Sequence, residues 1–334
     1  MKNTGLLVAA VAALISGPAF AQEFVAKIGH LESAAQNRHI HLEKVAALVS
    51  ERTGGAVEFQ LFPQAQLGDQ RQMNEGVQFG SLEGTVAPAA FLGGFNPVVS
   101  ILDIPYLLPE DEAAAQALRE GPFGQALLDS FADKGMHAIA LWPNGRKHIT
   151  SNRPIDELGD FANQKFRVMD SRVLIEQFTA LDASAIAIPF GELYTALQTG
   201  VVDGQENPLD TIETMKYFEV QNNLLVSGHG AMEDVVIFSP IWWNTLPEEY
   251  QTVIQDAFIE VIPELVANKQ AAVDRALEAV TAAGMNVRET TPEERAAFRE
   301  ATFGATSAAY VSLAGEPGQA LLDIYTAEYE ALAQ

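Results

Sequence analysis

The stretch that decides the fold is Gly191 to Pro208, G-E-L-Y-T-A-L-Q-T-G-V-V-D-G-Q-E-N-P. Its first part, Glu192 to Gln198, contains no helix breaker and carries apolar residues at helical spacing, so a short amphipathic helix is predicted there. Gly200 stands where a glycine commonly ends a helix. After a short apolar run and an Asp-Gly turn signal, the polar triplet Gln205-Glu206-Asn207 stops at Pro208. Uncharged amides beside a buried strand are typical of a ligand cleft. An ordinary helix–turn–strand connection with solvated polar residues is the alternative interpretation.

The segments on both sides alternate between strand and helix patterns. This alternation predicts an α/β fold with a largely parallel sheet, built from two halves, before a C-terminal region of long helices. Pro263 should interrupt the first of these helices, and Thr291-Pro292-Glu293-Glu294 has the pattern of a helix N-terminus. The predicted strands are Phe24–Gly29, Val57–Phe62, Leu82–Val86, Val98–Ile104, His137–Trp142, Lys165–Met169 and Ala185–Ile188.

The N-terminus has the pattern of a secretory signal. Lys2 precedes an apolar run from Leu6 to Ile15, and Ala19-Phe20-Ala21 fits a cleavage site, which predicts residues 1–21 as a signal peptide and Gln22 as the mature start. Later segments contain no apolar run of the length that a membrane span needs, so no direct membrane insertion is expected. The chain has no cysteine, so two lobes of about 150 residues each must fold on their apolar cores alone.

The overall charge is strongly acidic, with a formal net charge of −24. This charge argues against nucleic acid and anionic membranes as partners. Six of the 20 cations nevertheless fall between Arg146 and Arg172, which suggests either an anion site or a solvated charged surface there.

Sequence motifs for catalysis are missing. The chain has no G-x-S-x-G, H-E-x-x-H, P-loop or G-x-G-x-x-G motif. His39 and His41 are two residues apart in a predicted helix, so their rings should point apart rather than share a metal. We therefore expect no catalytic residue, no metal site and no cofactor. Among the histidines, His229 in S-G-H-G is the one expected near a cleft.

Arg167 is the strongest single candidate for ligand binding. The segment Lys165–Met169 alternates polar and apolar residues, so a half-buried strand would place Arg167 on one face. An arginine fixed on a strand presents a fork of donors that matches a carboxylate. A structural salt bridge to one of the many acids is the other interpretation.

Several motifs together resemble one family. Q-K-F-R-V, followed by A-L-Q-T-G-V-V-D-G-Q-E-N-P, is similar to the periplasmic substrate-binding proteins of TRAP transporters, the DctP type. Further matching motifs span the mature chain: T-G-G-A-V-E-F-Q-L-F-P-Q-A-Q-L-G (Thr53–Gly68), E-G-V-Q-F-G (Glu75–Gly80), D-I-P-Y-L-L (Asp103–Leu108) and I-T-S-N-R-P-I (Ile149–Ile155).

The resemblance implies a two-lobed α/β periplasmic binding protein of the type II kind, with an interlobe cleft, hinge strands and a long C-terminal helix crossing both lobes. On this basis we expect lobe I to comprise residues 22–144 plus about 233–272. Lobe II would comprise 145–232 plus about 273–334. The ligand is expected to be a small organic acid that is trapped as the lobes close.

The resemblance also implies roles for individual residues. Arg167 would clamp the ligand carboxylate, Asn207 would hydrogen-bond the same ligand, and Phe190 would pack on it. Asp170 lies where relatives place a polar or small contact. A second family arginine in G-x-R-x-x-T is replaced at its position by Lys147, so either Lys147 or its neighbour Arg146 would be the second anchor.

The first lobe would contribute the residues that vary most with substrate. His30 and Glu32 stand at a predicted strand end and would accept from ligand hydroxyls, which favours a sugar acid; Glu32 as a solvated acid at a helix start is the alternative. The family resemblance leaves the substrate open among sugar acids, dicarboxylates and other compounds, with sugar acids and dicarboxylates favoured.

The sequence thus predicts a non-catalytic periplasmic solute receptor. It would bind a small organic acid through its carboxylate and deliver it to the membrane permease subunits of a TRAP transporter. The alternative is a secreted hydrolase or lyase that acts on a carboxylated small molecule in an interlobe cleft.

Overall fold

A computed structural model describes residues 23–332. The predicted signal peptide, residues 1–21, lies outside this range. The strands of the described chain are β1 (Phe24–Gly29), β2 (Val57–Phe62), β3 (Gly84–Pro88), β4 (His137–Ser151), β5 (Lys165–Val168), β6 (Ser184–Ala187), β7 (Gly204–Pro208), β8 (Asn223–Phe238) and β9 (Asn286–Glu289). Its helices are α1 (Asn37–Arg52), α2 (Gln70–Phe79), α3 (Glu112–Glu120), α4 (Pro122–Asp129), α5 (Arg172–Thr179), α6 (Leu193–Gln198), α7 (Leu209–Thr214), α8 (Pro240–Trp243), α9 (Glu248–Glu260), α10 (Ile262–Ala282) and α11 (Pro292–Leu332).

The strands form one mixed sheet in the order β2-β1-β3-β8-β4-β7-β5-β6, with β9 added beside β8. Parallel pairs make up the two wings, β1 with β2 and β3 on one side and β5 with β6 and β7 on the other. Antiparallel pairs that involve the two long strands β4 and β8 join the wings. The β4–β8 register shifts between Pro143 and Arg146, so the ladder is irregular where it passes from one wing to the other.

The buried apolar residues divide into clusters around the two wings. Two clusters enclose β1, β3 and the parts of β4 and β8 beside them, and their members include Val86, Trp142 and Ile237. Two further clusters enclose β5 and the region around β7, with Phe166 and Ile212 among their members. This arrangement is the predicted two-lobed α/β fold, because each wing has its own core and helices.

The C-terminal helix α11 reaches both sets of clusters, as predicted. Near its start, Phe298 packs edge-on against Phe161, at 5.8 Å between ring centroids. Near its end, Tyr325 packs against Phe123 of α4 at 5.5 Å. The helix is broken at Gly315, whose φ of 64° and ψ of −148° are non-helical. Tyr325, which falls in the predicted lobe II, thus packs against α4 of the predicted lobe I.

One predicted strand is wrong. Residues 98–104 were expected to be extended, but Pro97–Asp103 forms a 3₁₀ helix. Asn96 caps this helix by accepting a hydrogen bond from the Val98 amide, and Pro97 occupies its first turn. Proline fixes φ near the helical value, so this local start signal outweighs the continuous apolar run that suggested a buried strand.

Candidate functional site

A buried ionic cluster lies where β4, β7 and β8 are neighbours. The ammonium of Lys147 is 2.6 Å from one carboxylate oxygen of Glu206. The other oxygen is 2.7 Å from Nε2 of His229 and accepts a hydrogen bond from Gln177 at 2.8 Å. Burial would raise the pKa of Glu206, but the charge of Lys147 and the bond with His229 hold that pKa well below its usual range. Glu206 is therefore ionised, and it fixes the position of Lys147.

Lys147 fits in this cluster because the facing residue on β8 is Gly230. A Cβ atom at Gly230 would stand 2.6 Å from Cε of Lys147. Such a distance is far below van der Waals contact, so a larger residue would displace the lysine. Lys147 also lines a cavity of about 10 Å³ together with Asp103, Met169 and Glu233.

Arg167 lies on β5 between β6 and β7, and its side chain is fully buried. Nε donates to the carbonyl of Ile188 at 2.9 Å, whereas Nη2 has no hydrogen-bond partner in the described chain. No carboxylate of residues 23–332 forms an ion pair with it. Burial lowers the pKa of Arg167 to about 10, which leaves it charged at neutral pH. A buried guanidinium without an acid is the arrangement that an anionic ligand would complete.

A second inner cavity, of about 20 Å³, brings together residues from both wings. Asn207 and Phe190 line it from the second wing, and Glu32 from the first. The amide of Asn207 donates to Oε1 of Gln205, so its orientation is fixed. The remaining wall is mostly apolar, and its members are Leu31, Pro88, Phe91, Met169 and Met232, together with Arg38 and Thr211.

Glu32 is buried rather than solvated, so the alternative interpretation of it as an exposed helix-start acid is wrong. Its carboxylate accepts from the Asn144 amide at 2.9 Å and lies 3.3 Å from Arg38. Burial opposes ionisation, but Arg38 and the neighbouring Lys269 lower the pKa of Glu32 to about 2. Arg38 in turn makes two hydrogen bonds to Asp234 of β8, at 2.7 and 2.8 Å. This network ties the start of α1 to the long strands.

His30, His229 and Arg167 were predicted as site residues, but they do not line either inner cavity. His30 is buried against His39, at 3.0 Å between ring nitrogens, and burial lowers its pKa to about 3, so it is neutral. His229 lies behind Glu206, and its Nδ1 contacts the hydroxyl of Ser227 at 2.7 Å. Both histidines therefore support neighbouring side chains.

Arg146 and Asp170 are placed away from the inner cavities. Arg146 lines a separate cavity of about 500 Å³ that does not include Lys147, Asn207 or Phe190. Asp170 is exposed at the rim of an outer cleft of about 610 Å³, 4.0 Å from Arg71. The structure thus brings Lys147, Asn207, Phe190 and Glu32 to the inner cavities, and not Arg167, Arg146, Asp170, His30 or His229.

Sequence reasoning missed the acids of β8 that face this region. Glu233 lines the smaller inner cavity and accepts from Nε of Arg119 at 3.0 Å, while Asp234 pairs with Arg38. A signal was present, because two adjacent acids interrupt an otherwise apolar strand segment, Ala231 to Phe238. Acids at such positions are seldom buried unless they are paired.

Residues 23–332 show neither a metal site nor a membrane-spanning helix. No cluster of histidines and acids there has the arrangement of a metal site. None of the helices in that range combines the length and apolarity needed to span a membrane.

Comparison with known proteins identifies the family. Residues 28–310 match the family described as bacterial extracellular solute-binding protein, family 7, DctP. The chain belongs to this family. It is 34% identical to the C4-dicarboxylate-binding periplasmic protein DctP of Rhodobacter capsulatus, over 89% of the chain and 90% of that protein. The predicted resemblance to TRAP-type receptors is confirmed, and members of the family are periplasmic binding proteins.

Two solved structures are similar over nearly their whole length. A TRAP periplasmic solute-binding protein from Desulfovibrio salexigens, with bound orotic acid, shares 61% identity and a TM-score of 0.91, covering 92% of this chain and 99% of that one. Another from Sulfurospirillum deleyianum, with bound succinate, shares 30% identity and a TM-score of 0.82, covering 90% and 99%.

The buried acid Glu233 gives a prediction about pH. Burial raises the pKa of Glu233 to about 7, although Arg119 opposes the shift. Glu233 contributes most to stability when its carboxyl is neutral. This contribution is complete below the pKa of glutamate in the unfolded chain, about 4.3, and is lost as pH rises towards 7. In the wild type, Glu233 should lower the free energy of unfolding by up to about 1.4 kcal/mol per pH unit between about pH 5 and 7, and Glu233→Gln should lack this contribution.

Urea unfolding at pH 5, 6, 7 and 8 checks this, with the slope rather than the absolute stability as the readout. Burial raises the pKa of Asp103 to about 6, so the free energy of unfolding should keep some dependence on pH in both proteins. Equal slopes for wild type and Glu233→Gln would show that Glu233 does not take up a proton in this range.

Proposed function

We propose that this protein is the periplasmic receptor of a TRAP transporter and that it binds a small organic acid with the ligand carboxylate on Arg167. The observation that carries the proposal is the buried guanidinium of Arg167, whose Nη2 has no partner within residues 23–332. A ligand carboxylate would accept from this nitrogen and neutralise the charge. The 61% identity to a receptor with bound orotic acid supports the same class of ligand.

Asn207 and Phe190 are proposed as the neighbouring contacts, because they line one inner cavity beside Glu32. Lys147 rather than Arg146 is the proposed second anchor, since it lines the other inner cavity. Its pairing with Glu206 means that Lys147 presents a fixed donor whose charge is already balanced. The ligand therefore needs one carboxylate for Arg167 and a neutral acceptor for Lys147.

Within the organic acids, a flat heterocyclic carboxylate fits the inner walls better than a polyhydroxylated one. Phe91, Phe190 and Met169 give mostly apolar walls on which a ring can stack. The sequence favoured sugar acids and dicarboxylates, and solved relatives hold galactonate and succinate. The more similar structure holds orotic acid, which has a flat ring, so an acid of that kind is our proposed ligand.

Delivery requires export and a hinge. We propose cleavage after Ala21, release of the mature chain into the periplasm, and closure of lobe I (22–144 and about 233–272) on lobe II. Lobe II would comprise 145–232 plus about 273–334, with Tyr325 near the end of α11 packed on lobe I. The hinge would lie at the β4–β8 irregularity, between Pro143 and Arg146. The closed form would dock on TRAP permease subunits, and the receptor itself would carry out no reaction.

A ligand panel tests the class of function. Thermal unfolding with orotate, succinate, galacturonate and galactonate should show the largest stabilisation with orotate, about 2.7 kcal/mol at a hundredfold excess over Kd. Nuclear magnetic resonance should show that the compound is chemically unchanged after incubation with the protein. A larger effect of galactonate would contradict the apolar-wall argument, and conversion of the compound would favour the hydrolase or lyase interpretation.

Substitution of Arg167 tests the site. Arg167→Ala should weaken binding of the best ligand by about 2–5 kcal/mol, because it leaves the carboxylate without its charged partner in a dry cleft. Arg167→Lys should also be damaging, since a point charge lacks the planar fork. Asn207→Ala should cost about 1–3 kcal/mol. Calorimetric titration measures each value.

The matched control is Arg172→Ala, which removes an exposed arginine five residues away and should leave affinity unchanged. Circular dichroism should show that every variant is folded. Wild-type affinity in a folded Arg167→Ala protein would mean that Arg167 is structural and that the anion binds elsewhere.

A further inference from the structure

Arg146 faces a cavity that the proposed ligand site does not use. This cavity has a volume of about 500 Å³, which is in the range of small-molecule sites. Its walls come from both wings and from the irregular segment between them, since Glu112, Val226 and Gly145 all line it. We call it the rear cavity. Its lining residues do not overlap with those of the two inner cavities.

Strand geometry separates Arg146 from its neighbour. Adjacent residues of a strand point to opposite faces, and residues two apart share a face. Lys147 lines an inner cavity, whereas Arg146 and His148 both line the rear cavity. The positive cluster that the sequence indicated is therefore divided between two sides of the sheet.

Arg146 has an incomplete set of partners. Nη2 donates to the carbonyls of Leu108 and Pro109, but Nη1 is buried without a partner in the described chain. No carboxylate among residues 23–332 forms an ion pair with Arg146. Leaving a charged donor buried and unpaired is costly, so an acceptor supplied from the cavity would be stabilising.

His148 supplies a second donor. Its Nδ1 accepts a hydrogen bond from the amide of Gly228 at 3.1 Å. Burial lowers the pKa of His148 to about 3, so the ring is neutral and carries its proton on Nε2. A guanidinium and an imidazole N–H on one face of β4 form a suitable pair of donors for a carboxylate.

The other charges of the rear cavity are largely balanced. Glu110 pairs with Arg295 at 3.3 Å, and Glu112 with Arg119 at 2.9 Å. Lys269 pairs with Asp210 at 2.6 Å. Asp274 and Glu289 are exposed, where water and salt screen them. Apolar side chains form much of the remaining wall: Pro143, Leu209, Val226, Val266, Val273 and Leu277.

We propose that the rear cavity is a second ligand site, which takes a small monocarboxylate with an apolar body, with its carboxylate on Arg146 and His148. It is distinct from the site at Arg167 and stands whether or not that site binds the proposed ligand. The acids and bases that line the rear cavity are paired with one another, which explains why one ligand carboxylate is accommodated. The valine and leucine side chains would cover the apolar part of the ligand.

Calorimetric titration with hexanoate, and with the uncharged hexanamide, tests the proposal. Wild type and Arg167→Ala should each bind hexanoate at one saturable site, and hexanamide should bind at least about tenfold more weakly. Arg146→Gln should weaken hexanoate binding at least about tenfold. Val273→Trp, which fills the rear cavity without changing the donors, should abolish hexanoate binding and leave orotate binding at Arg167 (the front site) unchanged.

Three results would overturn the proposal. The first is the absence of saturable hexanoate binding to the wild type. The second is loss of hexanoate binding in Arg167→Ala, which would place the compound at the front site. The third is equal hexanoate affinity for wild type, Arg146→Gln and Val273→Trp. Because Arg167→Ala is measured in parallel, failure of the front site is seen separately.

Discussion

The antiparallel pairing of β4 with β8 is the constraint on which the rest of the molecule depends. These two strands are the longest in the sheet, and they run through both wings, so each wing is held by one part of the same ladder. The ladder also sets the positions of the charged residues, because Arg146, Lys147 and His148 lie on β4 while Glu233 and Asp234 lie on β8. One of its register shifts, between Pro143 and Arg146, lies between the two cores. The same feature therefore builds both halves, places the charges and provides the proposed hinge.

Buried charge is handled in two different ways around this ladder. Most buried ions have partners at short distance, such as Lys147 with Glu206 and Arg38 with Asp234. Such pairs matter for the folded state mainly because removing one member would leave the other buried and unpaired, which is destabilising. Arg167 differs, since it lacks an acid in the described chain although the protein has an excess of acidic residues. The cost of keeping this cation dry is the physical reason to expect an anion there.

Much of the fold was readable from the sequence, and the parts that were not have physical reasons. Strands β1 and β2 match their predicted bounds, and α9 ends just before α10, where Pro263 was expected to interrupt the helix. In contrast, β4 was predicted to end at Trp142 and continues to Ser151, because Pro143 and Gly145 cause a register shift rather than an end. The 3₁₀ helix at Pro97–Asp103 was missed because a buried apolar run is consistent with either conformation.

The site residues likewise divide into those that a local sequence pattern indicates and those that only the folded sheet brings together. Arg167 was singled out because alternation in a short strand is a local signal; the structure buries its side chain completely. The pairing of Lys147 with Glu206 was not predictable, because 59 residues separate them and only the sheet brings them together. Alternation implies that Arg146 and Lys147 face opposite sides. It does not say which of them faces the cleft, since that depends on the register of β4 against β7 and β8.

The most direct test of the central claim is a crystal structure of the protein with its best ligand from the panel. We expect a ligand carboxylate oxygen at about 2.7–2.9 Å from Nη2 of Arg167, the distance of a charge-assisted hydrogen bond. Asn207 and Phe190 should contact the same molecule. A ligand whose carboxylate lies elsewhere, with Arg167 still bonded only to the carbonyl of Ile188, would contradict the account.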